Sequence, residues 1–221
     1  MTKLQKNLLA VGVLLAALAA AFGSFLLFAP QDDTTALGTE PAVDARAVRD
    51  TSHRLTSPKN SELTIVEFLD FECEGCGAVY PTVERLRSEY GDRVTFVARY
   101  FPMPGHHNST TAALAVEAAA QQGEFETMYA KLFATQKEWG ESKESKAALF
   151  RTYAEALGLD MARYDTALKA PATLQRIKAD QQDGLGLGVQ GTPTFFIDGM
   201  RIQLPQSYEE FRAVIDAKLA R

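Results

Sequence analysis

The segment Phe71-Glu72-Cys73-Glu74-Gly75-Cys76 holds the only two cysteines of this 221-residue chain. Thiols two residues apart can close on each other and reopen, so the pair can cycle between dithiol and disulfide. The thiolate is the form that attacks a disulfide, and a helix N-terminus stabilises it through free N–H groups and the positive dipole end. Two other uses compete: a plain structural disulfide and half of a zinc site. A structural disulfide usually closes a longer loop, because constraining more chain stabilises more. A structural zinc site takes four ligands, and the sequence has no second Cys-X-X-Cys. Redox exchange is therefore the favoured reading.

The surrounding elements supply the geometry. Leu63-Thr-Ile-Val-Glu-Phe-Leu69 is rich in β-branched and aromatic residues and short enough for a buried strand. Val79, Val83, Leu86 and Tyr90 then recur at helical spacing. The cysteines thus sit where a strand turns into a helix. Within the strand, Glu67 alternates with Ile65 and Leu69 and should face inward. Pro81 falls inside the helix, where proline removes a hydrogen bond. Residues 93–101 read as a second strand, which makes a βαβ unit with a parallel pair.

Pro102-Met-Pro-Gly105 breaks that strand, and Asn108 or Ser109 can cap the next helix. Ala112, Ala115, Val116, Ala119 and Ala120 form a small-residue face that Gly123 ends. A second apolar face follows from Phe125 to Phe133. Further helices are expected over residues 145–157, 161–169 and 173–187, with Trp139 as a packing residue. Gly184-Leu-Gly-Leu-Gly188 lacks a full phosphate-loop pattern and reads as a helix terminus and loop. Asp198-Gly199 between two apolar runs signals a hairpin, and residues 208–219 an amphipathic helix.

Residues 8–29 carry no charge, with Lys3 and Lys6 before them and Asp32 and Asp33 after. That length spans a bilayer, and the charge asymmetry puts residues 1–7 in the cytoplasm and the remainder outside. The reading is an uncleaved single-pass anchor; a cleaved signal sequence is the alternative. Either one places the cysteines where disulfides persist. Residues 30–60 have a linker composition, with a short edge strand expected near His53-Arg-Leu55. Residues 61–221 have the size of one domain. The net charge of −5, spread along the chain, argues against a nucleic-acid partner.

The order of elements resembles the thioredoxin fold, an α/β architecture. Cys73 and Cys76 open the long helix, Pro81 lies where such helices carry a kink proline, and Thr192-Pro193 precedes the hairpin. The large helical insertion before that proline, roughly residues 105–188, looks like the DsbA-type branch. Phe101-Pro-Met-Pro-Gly-His106 followed by an Ala-rich helix is similar to the membrane-anchored DsbA-like group of actinobacteria and related bacteria.

The resemblance implies that Cys73 is the nucleophile and Cys76 the buried resolving cysteine. It implies that Thr192 presents its backbone to a substrate strand and that Pro193 is cis. Glu67 matches the family's buried acid beneath the active site, which exchanges a proton with Cys76. The implied function is extracytoplasmic thiol:disulfide exchange that introduces disulfides into exported proteins. A quinone-linked membrane partner would reoxidise the pair, and no cofactor is implied. A disulfide reductase is the alternative direction. A copper or metal chaperone using the cysteine pair and His106 is the alternative of another class.

Departures from DsbA also matter. Glu74-Gly75 replace the Pro-His pair between its cysteines, and Glu72 and Glu74 are expected to disfavour the Cys73 thiolate, giving a weaker oxidant. Thr192 stands where DsbA has valine and looks more like the isomerase branch, but residues 30–62 are too short and polar to supply that branch's dimerisation domain. His106 and His107 are the remaining reactive side chains; exposed residues flanking the helix is the plainer role, with His106 the better placed by family resemblance.

Overall fold

The computed structural model describes residues 46–220. The expected anchor over residues 8–29, the cytoplasmic residues 1–7 and most of the expected linker lie outside the described residues. Among the described residues no helix is long and apolar enough to cross a membrane.

Five strands form one sheet: β1 (His53–Arg54), β2 (Leu63–Leu69), β3 (Val94–Tyr100), β4 (Thr194–Ile197) and β5 (Met200–Arg201). Their order is β1-β3-β2-β4-β5. β2 and β3 are parallel and joined by helix α1 (Glu74–Tyr90), while β4 runs antiparallel to β2. The central strands are covered on both faces, and nearly all of their residues are buried. On one face Ile65, Leu69, Phe96 and Ala98 join the main core with α1 and the helical insert. On the other, Val66, Phe68, Val97 and Phe196 form a second cluster.

The insert follows as α2 (Ser109–Ala120), α3 (Phe125–Ala134), α4 (Gln136–Trp139), α5 (Ala147–Ala156), α6 (Met161–Lys169) and α7 (Pro171–Gly186). Three of these match the expected helices over 145–157, 161–169 and 173–187 to within two residues. Trp139 is buried with its ring edge-on to Phe150, the packing role expected of it. Asp198 and Gly199 both adopt positive φ (48° and 77°), the conformation that a two-residue hairpin turn between β4 and β5 needs. α8 (Tyr208–Leu219) closes the main core with Phe211 and Ile215, its N-terminus capped by Ser207.

Two expectations are corrected. Residues 46–60 are not a linker but part of the domain: Ala47 and Leu55 are buried, β1 pairs with β3, and the Leu55 N–H donates to the Phe96 carbonyl at 2.8 Å. The segment's polar composition misleads because several of its polar groups bond to the fold: Arg49 to Asp183, His53 to Glu117 and the Thr56 hydroxyl to the Val94 carbonyl. Arg99 of β3, fully buried, donates to the carbonyls of Arg46 and Ala47 at 2.8 Å each. Asn108 stands at the N-cap of α2 but makes no side-chain cap bond. Its amide instead ties the loop before α5, accepting from the Lys146 N–H at 2.8 Å and donating to the Ser142 and Glu144 carbonyls.

Candidate active site

β2 ends at Leu69, and a short turn carries the chain to Cys73, the N-cap residue of α1. Its backbone is extended there (ψ 119°), so the free first-turn N–H groups point back towards its own sulfur. Cys73 is half-buried and Cys76 fully buried, both as free thiols. The Cys73 thiol donates to the Thr192 carbonyl at 3.2 Å. The Thr192–Pro193 bond is cis. A Cβ added at Gly75 would lie 3.3 Å from Pro193 Cδ and 3.6 Å from Cys73 Sγ. Glycine thus lets the loop carrying Pro193 approach the cysteine turn. The structure brings Cys73, Cys76, Gly75, Thr192 and Pro193 together.

Electrostatics separate the two sulfurs. The Cys73 thiol is pulled down to about 5, chiefly by a hydrogen bond from the Cys76 thiol, against the effect of burial. The Thr192 hydroxyl and the N–H groups of Cys76 and Gly75 add to the pull. That hydroxyl is buried and has no partner while Cys73 is a thiol, which leaves it ready to donate to the thiolate. Burial pushes the Cys76 thiol well up, reinforced by its bond to Cys73 and by Glu67.

Glu67 lies on β2 between Ala98 of β3 and Phe195 of β4, neither of which offers its carboxyl a side-chain hydrogen bond. It is buried, as its alternation with Ile65 and Leu69 predicts. Burial raises its carboxyl to about 8, with the charges of Glu84 and Cys73 adding to the effect.

The Cys73 thiol is lowered despite the flanking acids. Glu72 is buried, its Oε2 accepting the Asn108 N–H at 2.6 Å, and Glu74 is exposed to solvent. Donors in hydrogen-bond contact with the sulfur outweigh the neighbouring carboxylates.

Asp70 and Gln136 were not singled out by sequence reasoning. Asp70 Oδ1 accepts the Glu72 N–H at 2.9 Å, and Oδ2 accepts from the Met103 N–H at 2.9 Å and His106 Nδ1 at 2.6 Å. An acid just past an apolar strand and two residues before a bonded N–H is an Asx-turn signal that could have found it. Burial works against a charge on His106, but Asp70 and then Cys73 raise it. His106 and Cys73 line one cavity of about 450 Å³, whose wall also includes His107 and Lys143. His107 is exposed. Among the described residues no group of three or more His, Cys, Asp or Glu is disposed to hold a metal ion; His106 turns Nδ1 to Asp70.

Residues 51–217, more than half of the chain, match the family model described as thioredoxin. The chain belongs to the thioredoxin family. Within that family its fold is DsbA-like. It is similar to a thioredoxin-like oxidoreductase from Silicibacter pomeroyi, with a TM-score of 0.67 and 24% identity over 80% of this chain and 98% of that one. It is also similar to the thiol-disulfide exchange protein alpha-DsbA2 from Wolbachia pipientis, with a TM-score of 0.66 and 20% identity over 78% and 90% of the two chains. A curated relative, the Na(+)/H(+) antiporter NhaA of Herminiimonas arsenicoxydans, is 33% identical over 178 residues, 80% of this chain and 27% of the antiporter. The chain spans less than a third of the length of such relatives. An alignment over that much of this chain must include most of its thioredoxin domain.

Proposed function

We propose that this chain is an extracytoplasmic thiol:disulfide oxidoreductase that introduces disulfides into exported proteins. The observation that carries the reading is the asymmetry of the pair: Cys73 is accessible and favours the thiolate, while Cys76 is buried and favours the thiol. In the oxidised state a substrate thiolate attacks the Cys73 sulfur. The Cys73–Cys76 bond breaks, its electron pair goes to Cys76, and the neutral Glu67 carboxyl supplies the proton. The mixed disulfide lies alongside the Thr192 backbone, whose carbonyl already meets the Cys73 sulfur. A second substrate thiolate then attacks the substrate sulfur and displaces Cys73 as a stabilised thiolate. Two electrons pass from substrate to enzyme, and a quinone-linked membrane partner removes them. Residues 8–29 anchor the chain with this domain outside the cytoplasm.

Stabilising the reduced form makes a stronger oxidant. A Cys73 value of about 5 lies between roughly 7 for thioredoxin and roughly 3.5 for DsbA. The proposed enzyme is therefore an oxidant, weaker than DsbA. The test is refolding of a reduced, disulfide-requiring protein. Catalytic amounts of the oxidised chain should accelerate disulfide formation, and Cys73→Ser should abolish the effect. Equal rates with and without the cysteine would refute the proposal.

A further inference from the structure

We propose that Gln136 is a positioning residue for the redox centre, clamping the cysteine turn from the helical insert through a slot that Gly77 leaves open. The inference rests on the thiol-exchange reading. Gln136 opens α4, and its Nε2 donates to the carbonyls of Phe71 and Cys73 at 2.8 Å each. Both N–H donors of the carboxamide are therefore used, and both acceptors belong to the turn between β2 and α1. The Cys73 carbonyl also accepts the first intrahelical N–H, from Gly77 at 3.0 Å. Gln136 takes the second lone pair of the same oxygen. The direction of that carbonyl sets the first turn of α1, where the N–H groups of Gly75 and Cys76 face the Cys73 sulfur.

The carboxamide packs against Gly77 of α1. A Cβ at Gly77 would overlap Oε1 and lie 2.7 Å from Cδ. Glycine inside a helix costs about 1 kcal/mol relative to alanine, and Gly77 has no positive φ to explain it. The slot supplies the reason. The Gln136 backbone is fixed as well: the Gly140 N–H donates to its carbonyl at 2.7 Å, and Trp139 anchors the same short helix against Phe150. A continuous set of contacts thus runs from the core of the insert to the nucleophilic sulfur.

The test uses Gln136→Ala, Gln136→Met, Gly77→Ala and the Gln136→Ala/Gly77→Ala double variant. Thiolate absorbance is followed against pH, and the redox equilibrium is measured against glutathione. Gln136→Met keeps the side-chain length, so it answers the question even where the alanine variant folds poorly. Each single variant should raise the thiolate midpoint and shift the equilibrium about tenfold towards the disulfide, about 30 mV for a two-electron couple. The double variant should match Gln136→Ala alone, because the clash at Gly77 needs the carboxamide. Variants that lower the melting temperature but leave midpoint and equilibrium at the wild-type values would overturn the inference, as would additive shifts in the double variant. A wild-type Cys73 titrating near the free-cysteine value of about 8.5 would instead overturn the exchange reading, and the inference with it.

Discussion

Three titratable groups at the junction of β2 and α1 are driven apart by their surroundings. Cys73 meets hydrogen-bond donors and falls to about 5, while Cys76 and Glu67 meet apolar walls and rise. Glu67 lies at about 8 in the folded protein against 4.5 for the free group. The folded chain therefore holds a proton that the unfolded chain releases. Its contribution to stability is complete below about pH 4.5 and is lost as pH rises towards 8. Glu67→Gln should remove that loss. In urea titrations of reduced protein, the variant should gain on the wild type between pH 5 and pH 7.5, by at most about 1.4 kcal/mol per pH unit. A constant difference across the range would show that Glu67 does not titrate there. The same variant should slow exchange by about ten- to a hundredfold at neutral pH if the carboxyl is the proton donor to Cys76.

At the scale of elements, the site depends on contacts of very different range. The strand-to-helix junction, the inward Glu67 and the Asp198-Gly199 hairpin were legible because each is a local pattern of residue types. Asp70 with His106, Gln136 with the cysteine turn and Asn108 with Glu72 were not legible. These pairs are 36, 63 or 65, and 36 residues apart, and only the packing of the insert on the βαβ unit brings them together. The bond that Glu72 makes was hidden for the same reason: sequence places it next to Cys73, but the fold gives its carboxylate to the Asn108 N–H. Asp70→Asn should remove the charge that holds the His106 proton and lower the histidine's pKa. NMR titration of the imidazole checks this; an unmoved midpoint would mean that Asp70 is not its principal partner. The turn itself should loosen less, because the asparagine carbonyl oxygen can still accept one of the backbone bonds.

Across the whole molecule, a buried charge network fixes α7 to the second face of the sheet. Arg99 is fully buried and bonds Asp180 and Asp183 at 2.6 Å each, Asp180 also pairs with Arg176 at 2.6 Å, and Arg49 binds Asp183. Asp180 Oδ2 further accepts the Tyr100 N–H at 3.1 Å, at the end of β3. Removing one partner of such a pair leaves a charge without compensation in the interior. Asp180→Ala should destabilise the protein by about 3–5 kcal/mol. Urea denaturation reads the effect; a loss below about 1 kcal/mol would contradict the network's role. The same network explains why the domain begins earlier than its apolar pattern suggests. Arg49 and the carbonyls of Arg46 and Ala47 complete the partners of Arg99 and Asp183. A chain cut at residue 61 would lack them, together with the strand that covers the edge of β3.

The central claim is that the cysteine pair is a poised oxidant. It is tested most directly by equilibrating the chain with glutathione buffers and measuring the fraction of Cys73–Cys76 disulfide. The account predicts a potential between about −120 mV, the value for DsbA, and about −270 mV, that of thioredoxin. A potential at or below the thioredoxin value would contradict it.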